Sequence, residues 1–536
     1  MMSDVCKRGG SARAACDPEY PAAERAAHVP QVVYDARPEF VALYHKAWKL
    51  AARHVKHLPG MPCPVYMDEA FCHTNIWIWD TCFMAMFCKY APEFFPGVES
   101  LHNFYDVMYG DARYPLVTVP PGEPGWATGE APEGSRIRLR LHIADNPPLF
   151  AWAEYQNALF TGDREHLRKL LLEEKYLQKH YEWLENLKAP FTAPYLVCPT
   201  RWIAHEDGYS WEGGRSGMDN SPRGRSGDRS DTFRPATTDL LWLDALAQQG
   251  LAAECIGEMF ELIGEPEEAA RWSERAQRKA KILHDRYWDA ADRIFYDRSM
   301  EKNDFRRVPT VASFWPLVCG AADAEQARFM AEKLADPEYF GGAVPFVSLA
   351  RKDGDFHADG GAYWRGSVWV PTAYAAVRGL LRYGYFELAR RRTVELLSAM
   401  SYVCETFEPH SIWECYSPDG RAPGRQIGND VLCRKDFCGW SALAPIAMLI
   451  ECAVGIHSVD AFRKRVRWNL DTALPGKVGI RDLRFGGITA GMVAENGKVE
   501  VESDAPFTLE INGRDFPVSA GKQTLVLFRR RGTCGE

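Results

Sequence analysis

Apolar residues recur along most of this chain at the spacing of a helix face, and only towards the C-terminus does the pattern change to alternation. From Arg37 onward, Phe40, Leu43, Tyr44, Ala47 and Leu50 fall on one helical stripe. The same period predicts helices near Trp79–Tyr90, Val98–Tyr109, Pro147–Phe160, Arg164–Leu187, Asp239–Ile263 and Glu267–Tyr287. It continues through Val311–Cys319, Ala324–Leu334, Arg365–Tyr383, Phe386–Val403 and Trp440–Ala453. Gly264 and Pro266 mark a turn between two of these runs, and Thr238 suits the N-cap of the first. Short links between most runs predict antiparallel helical hairpins.

After Phe462 the period becomes that of strands. Phe462–Leu470, Ile480–Phe485, Lys498–Glu502, Phe507–Ile511 and Thr524–Phe528 alternate, and Asn496-Gly497 and Asn512-Gly513 are hairpin turn pairs. The expected layout is a flexible N-terminus over 1–36, a helical catalytic domain over 37–455 and a small antiparallel β module over 462–530. The module carries no chemical motif, so scaffolding is its default role.

Three connections are long: Gly110–Arg136, Arg201–Pro235 and Cys404–Cys438. Long loops in a compact domain are usually functional or disordered. These carry Trp126, Trp202, Trp211 and Trp413, which points to loops packed over a site at one end of a helical barrel. The second contains Trp211–Arg223, with Asp219 at its centre. Its glycines and Pro222 argue against regular structure and allow a carboxylate to be held in a fixed position, although Asp-Asn-Ser-Pro is also ordinary Asx-turn chemistry.

Composition narrows the class. The 536 residues suffice for a large core, and 46% hydrophobic with 25% charged residues is typical of globular proteins. A net charge of −8 argues against a general nucleic-acid binder. Seventeen Trp and 22 Tyr supply the flat, polar-tipped surfaces that sugar rings stack on, though a large helical core uses aromatics too. The 15 Cys form no zinc-type Cys-x-x-Cys pair and sit mostly in apolar runs, as buried thiols do in a reducing compartment. No secretory leader is read in Met1–Pro30, and no run approaches the ~18 apolar residues of a membrane span, so the expected location is the cytoplasm.

Four further segments suit sugar chemistry. They are Trp77-Ile78-Trp79-Asp80-Thr81-Cys82-Phe83, Tyr363-Trp364-Arg365-Gly366-Ser367-Val368-Trp369, Ile412-Trp413-Glu414-Cys415-Tyr416 and Asp436-Phe437-Cys438-Gly439-Trp440-Ser441. Each alone also reads as packing or capping; Asp80, for instance, suits a helix start. Together with Asn146–Trp152 and the Asp219 loop, they resemble the trehalase-like clan of inverting glycosidases. That clan comprises trehalases of family 37, processing α-glucosidases of glycoside hydrolase family 63, and mannosylglycerate and glucosylglycerate hydrolases. The resemblance covers most of Arg37–Ala453 with the segments in the clan's order.

The resemblance implies an (α/α)6 barrel with its active site at one end. It places the general acid at Asp219 and the general base at Glu414. Trp77, Trp79, Asp80, Trp211, Arg223, Tyr363, Trp364, Arg365, Trp369 and Trp440 are the implied substrate-binding residues. The sequence departs from the clan after Arg223, where Gly224-Arg225-Ser226-Gly227 follows, and before Trp79, where His73-Thr74-Asn75 replaces the glycine-rich motif of true trehalases. Trehalose is therefore a less expected substrate than another small α-glycoside.

Inverting hydrolysis needs a protonated acid at the leaving oxygen and an ionised base that activates water. Burial beside Met218 and Trp211 would favour the acid, and a nearby Arg would favour the base. Glu405 and Glu408 are rival bases in the same loop. Two other classes stay open: a sugar epimerase or isomerase, for which His205, His357 and His410 are the candidate imidazoles, and an inactive carbohydrate-binding protein. No cofactor and no metal site is expected from the sequence.

Overall fold

The structure is a computed structural model that describes residues 14–69, 71–224 and 239–527. It is mostly helical, with a sheet region at the C-terminal end. Helices lie where the apolar period places them, and their burial follows composition. Ile78–Cys88 is apolar nearly all round and is buried along its whole length, including Asp80. Pro266–Arg286 is charged on most of its surface and buries only Ala269, Trp272 and Leu283.

One set of helices packs neighbour to neighbour through the middle. Ile78–Cys88 meets Phe150–Thr161, which meets Leu243–Ile263, which meets Trp315–Val318, which meets Val370–Arg382. The last contacts Ser441–Leu443 and Ala444–Val454, and these return to Ile78–Cys88. A second set flanks the first: Pro38–Arg53, Gly97–Met108, Tyr176–Asn186, Pro266–Arg286 and Phe386–Thr406. The expected continuous helix over Arg164–Leu187 is broken instead. Lys175 takes a left-handed conformation between Lys169–Glu174 and Tyr176–Asn186. Thr238, read as an N-cap, lies outside the described residues.

Two sheets form the β region. One runs Gln31–Tyr34, Val478–Phe485, Ile488–Glu495, Lys498–Ser503, Gly521–Val526. The other runs Ile456–Asp460, Arg465–Trp468, Phe507–Ile511, Arg514–Val518. Asn496-Gly497 and Asn512-Gly513 both have positive φ, as the two-residue hairpin turn requires. Phe485 meets Phe507 between the sheets, ring centroids 5.6 Å apart.

Three expectations need correction. Strands begin at Ile456, directly after the last helix, rather than at Phe462. The region is not wholly antiparallel, because Arg465–Trp468 and Phe507–Ile511 pair in parallel. Residues 14–36 are not a frayed tail: Gln31–Tyr34 pairs antiparallel with Val478–Arg481 and buries Val32 and Tyr34. Four residues are too short for periodicity to reveal, and their partner lies in a remote part of the chain.

Candidate active site

Loops and helix N-termini from five parts of the chain close around one cavity of about 380 Å³. Asp219 reaches it from a loop with little freedom. Gly217 has φ +80, and a Cβ there would stand 2.5 Å from the Trp79 ring, so the loop lies directly on that indole. Asn220 ties the loop to the next segment: its Nδ2 donates to Ala362 O (2.9 Å), and its Oδ1 accepts from the Trp364 amide (2.9 Å). Asn146 Nδ2 donates to Arg215 O on the other side. Ala362 and Tyr363 both have positive φ, a strained backbone for residues with side chains, held in place by these bonds.

The walls are aromatic. Trp79, Trp364 and Trp440 line the inner part. Trp369 stacks flat behind Trp364, centroids 4.1 Å apart and planes within 4°. Phe71, Trp77, Trp126 and His142 form a second aromatic group further out. Trp126 is 49% exposed, so it presents an apolar face at the open edge.

Glu414 is clamped by donors on both carboxylate oxygens. Its carboxylate accepts from Tyr363 OH (2.8 Å), Arg434 Nη1 (2.6 Å) and the Arg434 amide (3.1 Å), and it is 1% exposed. Its main chain is fixed as well: its amide donates to Arg434 O, and Trp440 Nε1 donates to its carbonyl. Burial opposes the charge on Arg434, yet Glu414 and Tyr363 hold the guanidinium above its ordinary value. Arg434 is thus a fixed cation at the Glu414 carboxylate.

Two carboxyls near Glu414, Asp80 and Glu69, are pushed up. Burial first, then the charges of Asp68, Glu414 and Asp219, push Asp80 well above the carboxylate range. Burial, Asp80, Asp68 and Glu414 do the same to Glu69, whose Oε2 has no hydrogen-bond partner among the described residues. The cavity is a net acidic space in which Glu414 is paired with arginine while Asp80 and the neighbouring Glu69 favour protonation.

Of the residues singled out in the sequence, Asp219, Glu414, Trp77, Trp79, Asp80, Tyr363, Trp364 and Trp440 line this cavity. Four do not. Trp211 is buried against Trp202 and Trp242, donating to Asp145 O, so it does not screen Asp219 from within the cavity. Arg223 is buried in an ion pair with Asp244 and lies over the Trp242 ring. Arg365 donates to Asn220 O (3.3 Å) and faces Asp355, bracing the Asp219 loop from behind. Trp369 supports Trp364 without reaching the cavity. Loop motifs carry both wall and buttress residues, and one-dimensional patterns do not separate them.

The rival bases are elsewhere. Glu405 is exposed on Phe386–Thr406, and Glu408 is exposed and paired with His410. His205, His357 and His410 do not line the cavity either; the lining histidine is His142. Phe71, Trp126, His142, Asn146, Gln426, Ile427 and Arg434 join the lining without having been assigned to it from the sequence. Trp126 lies in a loop already suspected of function, and Arg434 stands two residues before the Asp436–Ser441 segment, which is signal enough to find them. His142 and Gln426 give none.

Comparison with known proteins decides the family. Residues 74–430 match the model of the mannosylglycerate hydrolase MGH1-like glycoside hydrolase domain. The chain belongs to this family. The mannosylglycerate hydrolase of Rubrobacter radiotolerans is 23% identical over 436 residues, covering 70% of this chain and 90% of that protein. A probable mannosyl-oligosaccharide glucosidase of Schizosaccharomyces pombe is 24% identical over 450 residues; the match covers 72% of this chain but only 49% of that protein. The solved structure of a family 63 mannosylglycerate hydrolase from Thermus thermophilus in complex with glucose superposes with a TM-score of 0.50. It is 18% identical and covers 76% of this chain and 99% of that one. The resemblance read from the motifs is thereby borne out, and the chain is a glycosidase-family protein. The matched span contains Asp80, Asp219, Trp364 and Glu414 and stops short of Arg434 and Trp440.

Proposed function

We propose that this family member hydrolyses a small α-linked glucoside or related glycoside with inversion, on an (α/α)6 barrel. Asp219 is the general acid and Glu414 the general base. The observation that carries this reading is that Asp219 and Glu414 face one aromatic-walled cavity, with Glu414 clamped by Tyr363 and Arg434. Asp219 gives its proton to the glycosidic oxygen as the bond to the anomeric carbon breaks. Glu414 takes a proton from a water that attacks the same carbon from the opposite face. Asp80 binds sugar hydroxyls, and Trp79, Trp364 and Trp440 bound the ring faces. The cavity is at the small end of the ~300–1,000 Å³ range of ligand sites, which favours a short glycoside over a long oligosaccharide. Relatives named as mannosylglycerate hydrolase and glucosidase support this substrate class.

The barrel reading rests on the helix order described above, in which the middle set returns to its starting member and a second set lies outside it. Within it we assign 37–455 to catalysis, and we assign 462–530 with the adjoining strand Ile456–Asp460 to the β region. Free and mostly buried thiols support a cytoplasmic location. Among the described residues no helix is long and apolar enough to cross a membrane.

The test is proton NMR of the first product formed from an accepted α-glycoside. A β-anomer appearing first supports the assignment, and an α-anomer appearing first overturns it. Interconversion of free sugars without hydrolysis would instead identify an epimerase, and binding of glycosides without turnover an inactive sugar-binding protein.

A further inference from the structure

We propose that His102, Glu154 and His166 form a site for one divalent cation of the zinc class, buried in the helical body apart from the sugar cavity. The three residues come from Gly97–Met108, Phe150–Thr161 and Arg164–Arg168, and their donor atoms all lie within 4.8 Å of one another. Donors that close bracket a single point, and zinc contacts of ~2.0–2.2 Å to nitrogen and oxygen need only small side-chain adjustments. Two imidazoles and a carboxylate are a donor set suited to zinc or a neighbouring first-row dication rather than to calcium or magnesium.

The second observation is His102 itself. Its side chain is fully buried, yet neither ring nitrogen has a hydrogen-bond partner among the described residues. Leaving a buried imidazole unpartnered is costly, and a cation supplies the missing partner. The surroundings are those of a supported ligand set. Tyr105 OH donates to Glu154 Oε1 (3.2 Å), while Glu154 Oε2 faces His166 Nε2 at 2.8 Å. Asp106 Oδ1 accepts from Tyr176 OH and stands 3.9 Å from His102 Nδ1, from where a small ring movement would let it take up the orienting role of a carboxylate beside a metal-binding histidine. A dication here would tie three helices together, two of which pack on Ile78–Cys88, the helix that presents Asp80 to the cavity. Sequence motifs miss the site because its ligands have no short metal-type spacing.

The test uses the untagged full chain, stripped with chelator and titrated with zinc alone, then with cobalt as an optical probe. One tightly held equivalent by elemental analysis, a tetrahedral-type cobalt spectrum and a higher melting temperature with zinc are expected. His102→Gln and Glu154→Gln each weaken zinc binding at least tenfold, and Asp106→Asn weakens it by about tenfold. Absence of a stoichiometric metal in the wild-type chain overturns the proposal. So does equal affinity in folded His102→Gln and Glu154→Gln, which would mean surface-bound metal only. If a variant fails to fold, wild-type stoichiometry and the cobalt spectrum still decide.

Discussion

Two buried clusters of charge occupy opposite ends of the same helices. At their N-terminal ends lies the cavity, reached by Asp80 on Ile78–Cys88, by the Tyr363–Trp369 turn before Val370–Arg382, and by Trp440 before Ser441–Leu443. Towards their C-terminal ends lies Glu451, which accepts from Lys89 Nζ (2.8 Å), Arg378 Nη1 (2.7 Å) and Tyr90 OH (2.9 Å). Burial opposes its charge, yet Lys89 and Arg378 prevail and hold its carboxyl down at about 2. Asp80 and Glu69, equally buried, are pushed the other way, first by burial and then by the carboxylates around them. The lesson is that burial alone does not mark a functional carboxylate. What separates Glu451 from Asp80 and Glu69 is that two fixed cations outweigh its burial.

The comparison is broken most directly at Glu414. Glu414→Gln should lower kcat by roughly 10²–10⁴-fold for every leaving group, with a smaller loss of stability than Glu451→Gln because Arg434 is partly exposed to solvent. Asp219→Asn should match it on a sugar-alkyl substrate but recover on an activated aryl glycoside, which needs little protonation. Equal losses on both substrates would remove Asp219 from the acid's role. Glu451→Gln should do the reverse, costing about 3–5 kcal/mol of stability by leaving Lys89 and Arg378 without a counter-charge, while the folded fraction keeps its kcat. Urea titration beside steady-state kinetics checks it, and a kcat collapse at unchanged stability contradicts the structural reading.

The two clusters should also respond to pH with opposite sign. Glu451 is more acidic in the folded chain than in the unfolded one, so its contribution, about 3 kcal/mol, is present above the ordinary carboxylate range. It is lost as pH falls towards 2, and in Glu451→Gln that acid-side loss should shrink. Asp80 and Glu69 hold their protons more tightly when folded, so their contribution is complete below the unfolded carboxylate range. It declines as pH rises towards their raised folded values. Asp80→Asn and Glu69→Gln should therefore flatten the fall in melting temperature as pH rises above the ordinary carboxylate range, the smallest of these effects. An unchanged slope in both variants would show that neither carboxyl is held protonated.

Much of this is legible in the chain, for physical reasons. Helices as long as Leu243–Ile263 and Pro266–Arg286 repeat their apolar period often enough to be read, and Asn-Gly pairs report hairpins because few residues tolerate their geometry. Asp219, Glu414 and Trp364 can be found because reactive and stacking groups cluster in short loop motifs. Arg223 and Arg365 show the limit. A buried arginine that braces a loop and one that meets substrate have the same one-letter surroundings, and only Asp244 and Asn220, distant or unremarked in sequence, tell them apart. Arg434 shows the converse: its place beside the Asp436–Ser441 segment can be read, but its significance lies in its pairing with Glu414 across two antiparallel segments.

The strand Gln31–Tyr34 pairs with a partner roughly 450 residues later. During synthesis that strand emerges well before its partner and stays unpaired until the partner has been made. Its closure is among the most non-local contacts in the molecule, so it belongs to the late, slow part of assembly. Until then Val478–Phe485 is the open edge of its sheet, a surface on which another chain can pair. Gln31–Tyr34 therefore acts as a built-in edge guard, and its removal should show first as self-association of nascent or refolding protein rather than as lost chemistry.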